Sequence, residues 1–262
     1  MSAIRQPVVA GQFYASDADE LATTVAMLLD EAPVAEGPAP KALIVPHAGY
    51  MYSGPIAANA YARLRPYHDR YRRVIVLGPC HRVPVQSLAL PNAEIFRTPL
   101  GSVRVDQAFV AGLEVPALVV ADRAHAFEHS LEVQLPFLQT VLDDFSLVPI
   151  VVGSVDPATV ADTLDVLWDG PETLIVISSD LSHYLPYESA RAIDAVTCKA
   201  IEHLEADQLD CDMACGALAV AGLLIAAKRH GLEVQTLDLR NSGDTNGDKI
   251  AVVGYGAWSF FE

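Results

Sequence analysis

Histidines follow several apolar runs of the sequence, at the points where buried strands are expected to end. His47 follows ALIVP, His81 follows RVIVLGPC, and His183 follows TLIVISSDLS. A neutral imidazole can bind a divalent metal or transfer a proton near neutral pH. One such histidine is more often a structural residue than a ligand, but three in equivalent positions favour a shared polar site.

Acidic side chains accompany these histidines. The run ALVVA is followed by His125, Glu128 and His129, and the run TLIVISS is followed by Asp180. A histidine that binds a metal through one ring nitrogen usually donates the N–H of the other to a carboxylate or a carbonyl group. Glu128 and Asp180 are therefore candidates for orienting the histidines.

The segment LRNSGDTNGDK, at 239–249, offers a further carboxylate in Asp244, with Asp248 as the alternative. Its Asn, Ser, Gly and Asp residues are typical of turns, so a hairpin loop before a last strand is the simplest interpretation. In the functional interpretation, two imidazoles and one carboxylate leave open positions on a metal, as in non-haem Fe(II) oxygenases. Catalytic zinc with two histidines and a carboxylate is similar.

The elements that must position these residues alternate along the chain. Strands expected to be buried on both faces are predicted at 42–46, 73–78, 117–121, 146–152 and 173–178. Helices are predicted from Ser16 as N-cap and at 55–65, 129–142, 156–168, 188–204 and 214–230, before a last strand at 249–261. The alternation predicts a layered α/β/α domain with a mostly parallel central sheet. Ligands of such sheets bind beyond the carboxyl ends of the strands, where the histidines fall.

Composition narrows the classes of function. The chain has 33 acidic and 17 basic residues, a formal charge of −16, which repels phosphate backbones and argues against a nucleic-acid partner. No apolar run is long enough to cross a bilayer, and the sequence shows no basic-then-apolar leader, so a cytoplasmic protein is expected. The four cysteines lack the spacing of a disulfide framework or a zinc finger. No boundary signal interrupts the alternation, which predicts a single domain over 1–262.

Seven segments, in order over nearly the whole chain, carry a family resemblance: VAGQFYASDADEL, IVPHAGYMYSG, VIVLGPCHRVP, FRTPLGSVRVD, EHSLEVQLPFLQ, ISSDLSHY and NSGDTNGDK. In this combination the sequence resembles the MEMO family, whose prokaryotic members are often labelled AmmeMemoRadiSam system protein B. The fold of that family is similar to the LigB-type subunit of class III extradiol dioxygenases, which open catechol rings with non-haem Fe(II). The resemblance implies a metal site on strand-exit loops.

By position, the resemblance implies that His47 in PHAGY and His81 in GPCH are metal ligands. The third ligand of the animal members is a cysteine, whereas the corresponding turn here is expected to hold Asp244, and no cysteine follows position 215. Aspartate is a harder ligand than cysteine, which favours Fe(II), with zinc, manganese and copper as alternatives. Cys80, beside His81, is a less favoured substitute.

The resemblance also implies roles around the metal. His183 matches the acid or base that lies beside bound substrate in extradiol enzymes, and Asp180 would orient it or hold its loop. Glu128 and His129 are implied at the rim of the same pocket. The resemblance thus implies a metal-dependent oxidoreductase that acts on O₂ and a small-molecule substrate, which is aromatic if the reaction is extradiol-like.

Two alternatives stay open on sequence alone. Animal MEMO proteins are described as adaptors that contact phosphotyrosine peptides, so the pocket could belong to a non-catalytic module that binds a peptide or small molecule. Zinc-dependent hydrolysis with the same ligands is the other alternative. The family label also implies a functional link to AMMECR1-like and radical-SAM proteins, while the oligomeric state is left open.

Overall fold

A computed structural model describes residues 3–34, 36–245 and 247–262. Its strands are β1 (Ile4–Arg5), β2 (Ala42–Val45), β3 (Arg73–Pro79), β4 (Leu88–Leu90), β5 (Ile95–Thr98), β6 (Gly101–Val105), β7 (Leu118–Val120), β8 (Ser146–Val152), β9 (Thr173–Ser178), β10 (His183–Leu185), β11 (Glu233–Asn241) and β12 (Val252–Phe261). The predicted loop 239–249 includes Asn246, which lies outside the described residues.

The α-helices are α1 (Ala18–Glu31), α2 (Tyr50–Tyr61), α3 (Gln107–Ala111), α4 (Asp122–His125), α5 (Leu135–Val141), α6 (Pro157–Leu167), α7 (Tyr187–Glu202), α8 (Ala217–His230) and α9 (Ser242–Thr245). Short 3₁₀ helices cover Ala62–Tyr67, Glu132–Gln134 and Ala206–Gln208. Among the described residues, no helix combines the length and the apolar character that a membrane crossing requires.

The strands join in one sheet. The order of the described strands is β1-β5-β6-β8-β3-β9-β2-β12-β10, with β11 paired to β12 and β4 paired to β7 and β8. The neighbours β6, β8, β3, β9 and β2 run parallel, whereas β12 is antiparallel to β2, β10 and β11. The predicted α/β class with a mostly parallel central sheet is confirmed.

Successive residues of the central strands enter two different cores, one on each face of the sheet. In β3, Val74 and Val76 belong to the first core, and Ile75 and Leu77 belong to the second. Residues of α1, α2 and α5 complete the first core, and residues of α6 and α8 complete the second. Because both faces are covered, the central strands are almost wholly apolar, which is why they stand out in the sequence as continuous apolar runs.

Several predicted elements differ in detail from the structure, among them the helix predicted at 129–142, which is a 3₁₀ helix at Glu132–Gln134 followed by α5 at Leu135–Val141. The run 117–121 forms β7, which pairs with β4 and leaves Val119 and Val120 40% and 58% exposed, so its predicted burial on both faces is wrong. A short apolar run does not reveal whether its strand lies in the centre or at the edge of a sheet. Helix α2 begins before the predicted start at 55, and α1 takes Asp17, not Ser16, as its N-cap.

The sheet order determines which loops meet. Strand β9 lies between β2 and β3 and is parallel to both, so the carboxyl ends of the three strands share one edge. His47 follows β2, His81 follows β3, and the segment 179–183 follows β9. The fold therefore brings together the strand exits that carry the predicted site.

The segment that precedes α1 is anchored by the buried carboxylate of Glu132. This carboxylate accepts a hydrogen bond from the guanidinium of Arg5 and one from the hydroxyl of Tyr14, at 2.5 Å. It also accepts the backbone N–H groups of Val8, at 2.9 Å, and Val9, at 3.1 Å. These hydrogen bonds fix the N-terminal segment against the 3₁₀ helix Glu132–Gln134.

We expect Glu132→Ala to lower the free energy of unfolding by about 3–5 kcal/mol, because it leaves Arg5 as a buried charge without a counterion. Urea unfolding measures the loss. The matched control is Asp144→Ala, since the side chains of Asp144 and Arg104 are each 73% exposed and such pairs contribute little. Equal losses in the two variants would contradict the role given to Glu132.

Candidate metal centre

Three imidazoles converge at the shared edge of the sheet. His47, His81 and His129 each offer one ring nitrogen, and these nitrogens lie within 4.8 Å of one another. The ring centroids of His47 and His81 are 5.3 Å apart, and the rings of His81 and His129 stack at 4.8 Å. This cluster, called the histidine cluster below, could hold a metal ion.

His47 enters the cluster directly from the end of β2 and is 2% exposed. Its backbone N–H donates to Asp180 Oδ1 at 2.7 Å, and its Nδ1 lies 2.8 Å from Ser178 Oγ. Its other ring nitrogen, Nε2, lies 3.3 Å from Cys215 Sγ. Burial, and then the neighbouring His81, lower the pKa of His47 to about 3, so the ring is neutral at neutral pH and keeps a lone pair for a metal.

His81 is held by the buried carboxylate of Glu128. The carboxylate accepts the backbone N–H of His81 at 2.6 Å and its Nδ1–H at 2.9 Å. It also accepts the N–H groups of His129 and Ser130, both at 2.9 Å. Burial alone would raise the pKa of Glu128, but the hydrogen bonds from His81 and the backbone hold that pKa at about 2. An ionised carboxylate on Nδ1 is a common partner of metal-binding histidines, because it orients the ring.

His129 supplies the third imidazole, and its Nδ1 lies 3.5 Å from Glu128 Oε1 without forming a hydrogen bond. Its Nδ1 is buried and has no hydrogen-bond partner among the described residues. Burial, followed by the nearby His47, lowers the pKa of His129 to about 4. A buried ring nitrogen without a hydrogen bond is costly, and a cation that bound to this nitrogen would remove that cost. His129 therefore fits a metal ligand.

The histidine cluster opens into a cavity of about 680 Å³. Four aromatic side chains line it, together with charged and polar groups: Phe13, Tyr52, Tyr184, Tyr255, Arg82, Asp180 and His183. His183 Nδ1 lies 2.7 Å from the carbonyl of Leu181 and donates to it, because a carbonyl can only accept. Burial raises the pKa of Asp180. The cavity thus combines apolar walls with groups that can hold or move a proton.

Consecutive residues His183 and Tyr184 both line this cavity, although neighbours in a regular strand point to opposite faces. A register shift between His183 and Leu185 interrupts the pairing of β10 with β12, and Tyr184 has a φ of +57°. A tyrosine in the left-handed region is strained, and Tyr184 is 76% exposed, so burial does not offset the cost. The bulge gives the cavity two side chains where a regular strand would give one.

The structure does not bring Asp244, the predicted third ligand, to the histidine cluster. The carboxylate of Asp244 accepts the hydroxyl of Tyr187 at 2.5 Å and the backbone N–H of Asn241 at 3.0 Å. The short turn α9 directs it towards α7, away from the cavity. Asp248, the predicted alternative, does line the cavity. The thiol of Cys80 donates to the carbonyl of Val83 at 2.8 Å.

Cys215 is the site residue that the sequence reasoning missed. It precedes α8, whose start packs on the exit of β9: a Cβ on Gly216 would lie 2.7 Å from the side chain of Ser179. This close approach places the thiol beside His47, and burial raises the pKa of the thiol. The sequence signal is a Cys-Gly pair before an apolar helix, since glycine permits such contact.

Comparison with known proteins gives the family. Residues 5–259 match the family model described as Memo-like protein, and the chain belongs to this family. MEMO1 family proteins of Aquifex aeolicus and Methanosarcina mazei are each 37% identical to it, over 96% and 97% of this chain and 97% and 98% of theirs. An uncharacterized protein of Escherichia coli K12 shares the fold, with a TM-score of 0.52, 12% identity, and coverage of 83% of this chain and 98% of that one.

His125, which follows the same apolar run as His129, is not among the residues that line the cavity. It is buried, its Nε2 donates to the carbonyl of Ala89 at 2.8 Å, and its Nδ1 has no partner among the described residues. Burial lowers its pKa to about 4. The folded chain therefore keeps His125 neutral at a pH where the unfolded chain protonates it.

This difference predicts a pH dependence of stability. A histidine with a lowered pKa takes up its proton only in the unfolded chain between pH 6.5 and about 4, so stability falls as the pH drops through that window. In chelator-treated protein, His125→Gln should reduce the slope of the free energy of unfolding against pH by up to about 1.4 kcal/mol per pH unit. Urea unfolding at several pH values measures it. An unchanged slope in His125→Gln would contradict the prediction.

Proposed function

We propose that this chain is a metal-dependent oxidoreductase of the dioxygenase type, with a divalent metal, Fe(II), held by His47, His81 and His129. The convergence of three imidazoles at the base of a cavity is the observation that carries the proposal. Imidazole suits iron, zinc, copper and nickel. When bound, the metal would supply redox and Lewis-acid chemistry for a substrate and O₂.

The donor set fits such a metal in three respects. His47 and His129 are neutral at neutral pH because burial lowers their pKa values to about 3 and about 4, so both can bind a cation. The Glu128 carboxylate orients His81. Cys215 Sγ, 3.3 Å from His47 Nε2, is a further donor at the edge of the cluster.

The residues around the cluster support a small, aromatic substrate. Phe13, Tyr52 and Tyr255 provide apolar walls that would bind a planar ring and exclude water. His183 donates its Nδ1–H to the carbonyl of Leu181, so Nε2 is the ring nitrogen that would accept a proton from a substrate hydroxyl. Asp180 lies on the same wall and orients the His47 loop through its hydrogen bond to the His47 N–H.

Titration of the chelator-treated, anaerobic protein with Fe(II) tests the ligands. We expect one equivalent to bind, and His81→Ala and His129→Ala each to weaken binding by at least about tenfold, since each removes a donor. Asp244→Ala is the matched control and should bind as wild type, because its carboxylate is engaged by Tyr187 and Asn241. Weaker binding by Asp244→Ala together with normal binding by His129→Ala would favour the ligand set predicted from sequence. Failure of the wild type to bind would overturn the proposal.

A zinc-dependent hydrolase is the second candidate. The observation that favours it is the ligand cluster itself, which holds three imidazoles and no carboxylate, as in catalytic zinc sites with three histidines. The aromatic walls and the placement of His183 agree with either chemistry.

O₂ consumption with a panel of catechols separates the two candidates. We expect the Fe(II)-loaded wild type to consume O₂ with at least one catechol, and the Zn(II)-loaded protein to consume none. His183→Gln should lower the rate by about 10²- to 10⁴-fold without loss of Fe(II) binding, because it removes the proton acceptor. Consumption that survives in His81→Ala would show that the histidine cluster is not its source.

A further inference from the structure

A chain of buried side chains connects helix α2 to the histidine cluster and determines which ring nitrogen of His47 carries the proton. We propose that Ser178 is a positioning residue that fixes the proton of His47 on Nδ1 and thereby presents Nε2 as the metal-binding atom. Gln134 and Tyr61 hold Ser178 in this role. The inference deepens the proposed metal site and rests on it for its function, but the position of the proton is measurable without any metal.

The orientation of the Gln134 amide follows from its neighbours. Gln134 Nε2 lies 3.0 Å from the carbonyl oxygen of Pro46, which can only accept a hydrogen bond. The amide nitrogen must therefore face Pro46, and the amide oxygen accepts the hydroxyl of Tyr61 at 2.8 Å. The same NH₂ group donates to Ser178 Oγ at 2.8 Å. One acceptor position of the Ser178 hydroxyl is thus occupied.

The direction of the Ser178 hydroxyl proton follows in the same way. Ser178 Oγ lies 2.6 Å from the carbonyl oxygen of Ser130, again a group that can only accept. The single hydroxyl proton therefore goes to Ser130. With that proton committed, Ser178 Oγ can only accept from its remaining neighbour, His47 Nδ1, at 2.8 Å. His47 must then carry its proton on Nδ1.

The opposite side of the ring agrees with this tautomer. A neutral imidazole with a proton on Nδ1 has its lone pair on Nε2. Nε2 lies 3.3 Å from Cys215 Sγ, and a thiol at this position can donate its proton to the lone pair. Both ring nitrogens of His47 then have a hydrogen-bond partner in the metal-free protein. Nε2 is the nitrogen whose lone pair a metal can bind in place of the thiol proton.

The alternative tautomer would break the network. A proton on Nε2 would place the bare Nδ1 against Ser178 Oγ, whose proton would have to leave the buried carbonyl of Ser130. The cost of an unsatisfied buried acceptor corresponds to a preference of roughly ten- to a hundredfold for the Nδ1–H tautomer. Ser178 therefore selects the tautomer that suits metal binding before a metal arrives.

The test is long-range ¹H–¹⁵N NMR of histidine-labelled, metal-free protein, combined with Zn(II) titration. In the wild type we expect His47 Nδ1 to be protonated and Nε2 to be bare. Ser178→Ala should produce a mixture of tautomers and weaken Zn(II) binding by about 10- to 100-fold. Ser53→Ala is the matched control: Ser53 is a buried serine near His47 whose hydroxyl donates to the carbonyl of Ala48, and both readouts should stay as in the wild type.

The outcomes separate this inference from the proposed function. A wild type with the proton of His47 on Nε2 overturns the inference even if Zn(II) binds, and needs no variant to fold. Wild-type tautomer and affinity in a folded Ser178→Ala variant also overturn it. If the wild type has the Nδ1–H tautomer but binds neither Zn(II) nor Fe(II), the tautomer assignment stands, while the proposed metal site and the role of Ser178 towards it both fail.

Discussion

The candidate site depends on one buried carboxylate, that of Glu128. It joins two loops that are far apart in sequence, because it binds the backbone and the ring of His81 on one side and the backbone of His129 and Ser130 on the other. Burial opposes its charge, and only a full set of donors keeps it ionised. The same bonds that stabilise the anion therefore set the distance between two of the three imidazoles.

This arrangement also separates the neutral rings of His47 and His129 from the nearby negative charge. The imidazoles of His47 and His129 contribute lone pairs but no charge. The negative charge lies on Glu128, which is hydrogen-bonded to the ring of His81. Asp180 approaches from the other side, with Oδ2 3.9 Å from His47 Nε2. The net charge of −16 surrounds both with a field that attracts cations. The lone pairs of the histidine cluster and the negative charge beside it thus lie on different residues.

Much of the fold and part of the site could be predicted from the sequence. Continuous apolar runs identify the central strands, since burial on both faces leaves no polar alternation, and residues after parallel strands must gather at one edge. This logic led to His47 and His81. It did not give His129 as a ligand, because the run before it forms the edge strand β7, and the turn after α4 is set by contacts of Arg5 and Glu128 that no local pattern encodes.

The positions of Asp244 and Cys215 could not be predicted from local sequence patterns. The turn chemistry of NSGDT correctly indicates a hairpin between β11 and β12, but not the direction of the carboxylate, which Tyr187 of α7 decides. Cys215 lies in no strand exit and enters the site because Gly216 lets α8 approach β9. Contacts between distant elements determine both positions, and residue type and spacing do not report such contacts.

The pairing of β12 has a consequence for the order in which the site is assembled. The segment that carries His183 is fixed to β12, since Leu181 N–H donates to the carbonyl of Gly254 at 2.8 Å and Gly254 N–H donates to the carbonyl of Ser182 at 2.8 Å. Val253 and Tyr255 of the same strand line the cavity. During synthesis, all three histidines of the cluster leave the ribosome long before β12 exists. A nascent chain would therefore contain the three histidines before it contains the strand that completes the wall of the cavity.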